Sequence, residues 1–361
     1  MHCPKCGTQN PDDAQVCSSC NLEIPKSQGG TGKIIPKMSS LAIAAFVLGI
    51  LGLFSCGLTA IPAIVLGIIS FILIEKSGGK LTGSKFAVWG VVLPVVLSCA
   101  IVVPGILKMR KIAFQMFCAT NLAEIGMSML TYANDFDNKF PRSGGKDSVW
   151  MGRILDWRAK NRFDAYGLAD DGSGGQGSIT SCFYLLIKYS YQPPQKAFVC
   201  RGDAGVTAFN PADEGVGGQE LVDFWDFGSE PTRHCSYSYH MPFGRYVLTK
   251  SSESGMAVVA DRNPLQDSPA ATAKPWPGIY NPAGGRKAVK YGNAITHQED
   301  AQNVLFMDFH VGQEKRPFCG INDDNIYTSW DGGDIRIGAP PIIGRSGPQD
   351  RLDSLLVHDG P

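Results

Sequence analysis

The sequence predicts a multi-domain chain: a small metal-folded head, a set of transmembrane α-helices, and an α+β domain with a long N-terminal helix and an antiparallel sheet. Three observations predict this. Two C-x2-C pairs open the chain, nearly every long apolar run precedes residue 108, and the remainder is polar, aromatic and rich in Gly and Pro. The 361 residues suffice for two or three such parts. Lys plus Arg and Asp plus Glu balance at 33 each. A general nucleic-acid binder needs surplus cations to neutralise phosphates, so none is expected.

The head, residues 1–24, begins MHCPKCGTQNPDDAQVCSSC, with the spacing C-x2-C-x10-C-x2-C. Each pair can form a knuckle that aims two thiolates at one point. Cys3, Cys6, Cys17 and Cys20 then complete a four-sulfur tetrahedron that suits a structural Zn²⁺. So short a segment buries no useful core, so the metal supplies its folding energy. Gly7 stands where the first knuckle needs a permissive backbone. Four thiolates leave no open position, so the site is structural, and His2 is expected outside the shell. The head resembles the short zinc ribbons common at the starts of bacterial membrane proteins.

Residues 25–40 read as a flexible tether of Pro, Gly, Ser and Lys. Its SQGGTGKI phrase fails as a phosphate loop, because Ser27 replaces the first Gly and Ile34 follows Lys33 where Ser or Thr must hold Mg²⁺. Polar sequence precedes the first apolar run, so no cleavable signal peptide is expected.

Residues 41–74 carry no charge. One helix of that length would run roughly 50 Å, against a hydrocarbon core of about 30 Å. Gly57 and Pro62 interrupt it, which predicts spans at 41–56 and 58–74. A third, 86–107, follows a loop with Lys76, Lys80 and Lys85. Gly49, Gly52 and Gly67 would let these helices approach closely. Cys56 and Cys99 are expected to be small buried hydrophobes. The Leu48-Gly49-Ile50 and Leu66-Gly67-Ile68 phrases resemble a Gly-rich bacterial membrane domain of unknown function, which implies an anchor and no known chemistry. Lysine placement does not orient it. A three-span path puts Lys26, Lys33, Lys37, Lys76, Lys80 and Lys85 on one side and Lys108, Arg110 and Lys111 on the other, and a two-span path gives the same imbalance. Length favours three spans, which places the last two-thirds outside the cytoplasm.

In the α+β domain, residues 108–361, Cys118, Leu122, Ile125, Met129 and Tyr132 step by four and three, which marks one helical face. Asn, Asp and Pro over 134–141 end that helix. Candidate strands are 197–200, 236–240, 256–260 and 303–311. Ordered phrases then carry a second resemblance. Pro104, the basic run 108–111, Cys118 with Asn121 and Leu122, Tyr132 to Asp135 and Phe140-Pro141 lead, followed by PQKAFVCRGDAG, SYSYHMP, NVLFMDFHVG and DDNIYTSW. Over residues 90–330 the chain is similar to type II secretion pseudopilins, within a large prepilin-like bacterial family whose members carry a His, about nine residues, then Asp-Gly. Here His297 precedes Asp308, and Phe309 replaces the Gly. No Gly followed by Phe-Thr-Leu-x-Glu precedes Phe86, so ordinary peptidase processing and pilus assembly are not implied.

Two candidate sites remain. Residues 306, 308 and 310 would share one strand face by period two, so His297, Asp308 and His310 could hold a metal, or else make structural hydrogen bonds near a turn. Asn322, Asp323, Asp324 and Asn325 cluster oxygen donors that would suit Ca²⁺, as the pseudopilin resemblance also implies, or form a plain polar turn. Five cysteines, Cys118, Cys182, Cys200, Cys235 and Cys319, fall in this domain. In an oxidising compartment a disulfide is expected among Cys182, Cys200 and Cys235, because Cys118 lies on the helix's core face, with the pairing open, whereas a cytoplasmic domain would keep all five as free buried thiols. No G-x-S-x-G, H-E-x-x-H or complete phosphate loop occurs, so no enzyme activity is expected.

The sequence thus predicts a membrane-anchored, pseudopilin-like structural or interaction protein of a bacterial inner membrane, with a cytoplasmic zinc head and a periplasmic domain. Membrane lipid and protein partners are expected, with no small-molecule substrate. A transmembrane sensor reporting through the ribbon is the alternative.

Overall fold

The computed structural model describes residues 2–23, 36–52, 59–191 and 194–360, with the side chains at 97, 98, 101 and 102 outside the description. The SQGGTGKI phrase, Cys56 and Gly57 therefore lie outside the described residues. The chain divides into two compact units, Met1–Gly105 and Ile106–Pro361.

The first unit holds the head and three helical segments. Strand β1 (Lys37–Met38) leads into α1 (Ser40–Leu51), α2 follows at Ala60–Lys76, and β2 (Leu81–Thr82) pairs in parallel with β1. Ser39 caps α1 by accepting from the Ala42 amide, and its hydroxyl lies 3.2 Å from that of Ser70 in α2. Such a cap is worth about 1 kcal/mol. Helix α3 (Ser84–Asp135) carries Pro94 and Pro104, and the boundary between the units falls within it.

Small residues set the helix contacts. A Cβ on Gly67 would lie 2.7 Å from Val91 Cγ2 and 3.0 Å from the Ala87 carbonyl, and one on Gly90 would lie 2.9 Å from Ala45 Cβ. Gly67 thus does what its sequence position predicted, whereas Gly49 has ordinary contacts and the second close approach belongs to Gly90.

Among the described residues, no helix is long and apolar enough to cross a membrane. The spans expected at 41–56 and 58–74 are helices of 12 and 17 residues, roughly 18 and 25 Å long. The expected span 86–107 is the start of a helix that continues as a polar-faced one to Asp135. Their side chains are nonetheless apolar and outward: Val47, Ile61, Ile68, Phe71, Trp89 and Val96 are all exposed. Cys99, expected buried, is exposed too.

In the second unit the C-terminal part of α3 lays Cys118, Leu122, Ile125, Met129 and Tyr132 into the core. Then come β3 (Val149–Trp150), α4 (Arg162–Tyr166), β4 (Gln176–Gly177), parallel to β3, and α5 (Ile179–Lys188). Ser178 and Ser181 form a capping box at the start of α5. Strands β5 (Tyr237–His240) and β6 (Ala257–Asp261), helix α6 (Arg286–Lys290), and strands β7 (Gln302–Phe306), β8 (Val311–Glu314) and β9 (Leu356–Val357) complete the unit.

The sheet runs β8-β7-β6-β5-β9, antiparallel throughout. Period-two alternation sends Tyr237, Tyr239, Leu305 and Val357 into the core shared with α3 and α5, and Val304, Phe306 and Leu356 into a second cluster with Tyr327.

Two expected strands are corrected. Residues 197–200 are not a strand, since Gln195–Phe198 forms a 3₁₀ turn after Pro194. Residues 303–311 are not one strand but the β7–β8 hairpin. The Phe306 and His310 backbones bond across its turn at 3.0 Å, and Phe309 takes a left-handed φ of 66°. That is the position where the resemblance expects Gly, the residue that adopts such a φ at no steric cost.

Candidate metal centres

The head is built from two near-identical knuckles. In the first, the Cys3 amide bonds the Thr8 carbonyl at 2.9 Å and the Gly7 amide bonds the Cys3 carbonyl at 2.9 Å. In the second, Cys17 and Leu22, and Asn21 and Cys17, repeat the pattern at 2.9 and 3.0 Å. The fifth residue of each is left-handed, Gly7 at 72° and Asn21 at 48°. Asn suits such a position because its short polar side chain tolerates it.

The knuckles bring all four sulfurs within 4.8 Å of one another. Cys3 and Cys20 stand 3.7 Å apart, Cys6 and Cys17 3.5 Å. A zinc–sulfur bond of about 2.3 Å implies a tetrahedral edge of about 3.8 Å, so the donor set fits Zn²⁺ nearly as it stands. The Ser19 amide leads the contacts that pull the Cys17 thiol down to about 6, while the Cys20 thiol is pushed up to about 12, the neighbouring Cys6 thiol being the largest raising contact. Asn10 fastens the second knuckle, with its Oδ1 accepting from the Ser18 amide at 3.0 Å. His2 is exposed, its Nδ1 3.2 Å from the Gly7 carbonyl.

The head is a zinc-ribbon domain. Residues 2–23 match that family, and residues 41–104 match a domain of unknown function (DUF4190). No curated protein and no solved structure matches the chain. The pseudopilin resemblance of residues 90–330 thus finds no support in these comparisons.

The other expected metal groups come apart. His297 is buried on a 3₁₀ turn, while Asp308 and His310 stand half-exposed at the β7–β8 turn. There His310 Nδ1 lies 2.5 Å from Asp308 Oδ1, and its ring stacks on Phe306 at 4.7 Å. That hydrogen bond holds the Asp308 carboxyl below the usual range. The pair was expected to share a face with position 306 on one strand, and the turn is what removes it from His297.

The calcium expectation also fails. Asn322 and Asp323 are exposed, but Asp324 is buried and accepts from the Ser354 amide at 2.7 Å. The Asn325 amide is committed to the Arg336 carbonyl and the Tyr327 amide. Burial, with the charge of Asp353 second, pushes the Asp324 carboxyl up to about 8.

His297 instead belongs to a cluster with Cys118, Cys200 and Asp261, all buried, with ligand atoms within 4.8 Å of one another. Cys118 and Cys200 form a disulfide. This corrects the expectation for Cys182, Cys200 and Cys235: Cys182 and Cys235 are free and buried, and the inward face of α3 is what delivers Cys118 to Cys200. Asn121, one turn further on, donates to the Val199 carbonyl at 3.0 Å and to the Tyr237 hydroxyl at 3.2 Å.

His297 Nε2 lies 3.6 Å from Cys200 Sγ, 3.3 Å from Asp261 Oδ2 and 3.4 Å from Asn303 Nδ2. The turn carrying Cys200 fits over His297 only because residue 202 is glycine, since a Cβ there would lie 2.5 Å from the Thr296 carbonyl. Asp261 was missed from sequence because nothing marks one carboxylate at a strand end as buried.

A cleft of about 530 Å³ opens elsewhere in this unit, lined by Arg142, Arg162 and Lys146 against Tyr132, Tyr166 and Trp225.

Proposed function

We propose that this chain is a non-enzymatic, membrane-anchored structural or interaction protein of a bacterial inner membrane. The zinc ribbon is its cytoplasmic docking head, and the α+β unit is its working domain on the other side. The observation that carries this reading is the outward apolar surface of α1, α2 and the first part of α3. Large side chains such as Ile61, Phe71, Trp89 and Val96 on these helices are exposed. A contiguous apolar surface on that scale requires lipid or another apolar partner, and charged residues are absent from 41–74. The three-span path runs through residues 53–58 and through positions 97, 98, 101 and 102, which lie outside the description.

The pilin-like element of the proposal rests on the ordered phrases between residues 90 and 330 and on a long helix feeding its apolar face to an antiparallel sheet. Protein partners follow from a closed ribbon that has structural work only.

The test is two-part. The full chain should stay with membranes through alkaline carbonate extraction, and external protease should digest residues 106–361 in right-side-out spheroplasts. Release by carbonate would defeat the anchor. Full protection with intact membranes would place the domain inside and leave a two-span path.

A further inference from the structure

The Cys118–Cys200 disulfide ends among groups that a disulfide does not need. His297 Nε2 points between Cys200 Sγ and Asp261 Oδ2 at 3.6 and 3.3 Å. A catalytic relay would use the two ring nitrogens for two different partners, but here one nitrogen faces both. Convergence of one nitrogen, one carboxylate and two sulfurs on a single spot is the geometry of a metal centre.

The spacings agree. Tetrahedral zinc with sulfur, nitrogen and oxygen ligands has edges of about 3.3–3.8 Å, which the two contacts of His297 already match. They also match the sulfur–sulfur distances of 3.7 and 3.5 Å in the ribbon. A second observation points the same way. Asp261 is fully buried, and its Oδ1 has no hydrogen-bond partner among the described residues, whereas Oδ2 accepts from the Asn303 amide at 2.7 Å. A buried carboxylate oxygen without a donor is costly, and a cation beside it would remove that cost. Asn303 also fixes the site to α3, donating to the Gln115 carbonyl at 3.2 Å.

We infer that the dithiol form of this chain holds a second, closed zinc site made by Cys118, Cys200, Asp261 and His297, so that the cysteine pair exchanges a disulfide for a metal centre. A dithiol reductant such as dithiothreitol supplies two electrons and two protons to the disulfide and leaves as its own cyclic disulfide. Zn²⁺ then displaces the two thiol protons to solvent and binds both thiolates, His297 Nε2 and an Asp261 oxygen. The sulfurs separate to about 3.8 Å as they bind. Cys118 and Cys200 are fully buried, so the reduced chain is best produced and kept in reductant throughout.

The experiment measures zinc per full-length chain in detergent after removal of loose metal by a weak chelator. The reduced chain is expected to hold two zinc ions and the oxidised chain one, the difference disappearing in His297→Ala and Asp261→Asn. Co²⁺ in place of zinc adds a readout that needs no variant: the reduced chain should show a second set of visible bands, with weaker sulfur-to-cobalt charge transfer than the four-sulfur ribbon. One zinc in both redox forms, or a second zinc that survives both substitutions, overturns the inference.

Discussion

Trp150 donates its indole Nε1–H to Asp359 at 2.7 Å across 209 residues of sequence. The same carboxylate accepts from the Ile179 and Thr180 amides at 3.0 and 2.8 Å. It therefore serves the first, otherwise unpaired N–H groups of α5, where helix geometry favours negative charge. Asp359→Ala should destabilise the second unit by about 3 kcal/mol, the scale for breaking a buried, charge-assisted network. Trp150→Phe, which removes one donor and keeps the ring, should cost about 1 kcal/mol. Denaturant unfolding of the full chain in detergent checks both, and equal losses would show that packing rather than the carboxylate matters.

Asp226 sits beside Asp359 under the same helix start, accepting from the Ser178 and Thr180 hydroxyls. Burial, then the charge of Asp359, pushes its carboxyl up to about 7. An unfolded Asp titrates near 4, so between about pH 4 and 7 the folded chain holds a proton the unfolded chain has lost. Its contribution is full below pH 4 and is lost as pH rises to 7. Buried His240 and His358, lowered to about 4 and about 3 chiefly by burial, act oppositely, being neutral when folded. The comparison with Asp226→Asn isolates the carboxyl. The variant should gain on the wild type by roughly 1 kcal/mol per pH unit across that window, and parallel pH–stability curves would refute the assignment.

Gly90 and Gly105 both lie in α3, but among the described residues only Gly90 faces a neighbour. Gly90→Val should cost about 2 kcal/mol by driving a side chain into Ala45. Gly105→Ala, whose Cβ would meet nothing within 4 Å among the described residues, should be neutral or slightly stabilising. Thermal unfolding in detergent separates them, and equal effects would argue against the α1 contact.

Removing zinc, by a strong chelator or by Cys17→Ser, should melt residues 2–23, because the metal supplies what a four-cysteine cluster packed against Leu22 cannot. Protease should then cut within the head. In the oxidised chain, with Cys118 and Cys200 bridged, the unfolding transition of residues 106–361 should not move, and a shift there would show that the second unit depends on the ribbon.

What the sequence made legible was whatever depends on spacing alone. The ribbon needs only two pairs of cysteines, and the inward face of α3 needs only steps of three and four, so Cys17 and Leu122 could be placed without coordinates. Features set by long-range packing stayed hidden. The two-residue strand Leu356–Val357 carries no periodicity of its own and exists because Tyr239 and His240 pair with it. The hairpin turn at Phe309 was masked because its left-handed residue is aromatic, buttressed by Phe140 at 6.4 Å. Cys118 was set aside for the wrong reason: facing the core does not exclude a cysteine from bridging when its partner arrives there on a distant turn. Asp261 and His297 are brought together only by the sheet and the turn above it.

The bridge between α3 and the turn at Cys200 spans 82 residues, a stretch that includes α4, both short parallel strands and the whole of α5. In the oxidised form a single peptide-bond cleavage anywhere between those two cysteines yields fragments that still migrate as one species until a thiol is added. Clipped and intact molecules are then indistinguishable by mass-separating gels run without reductant.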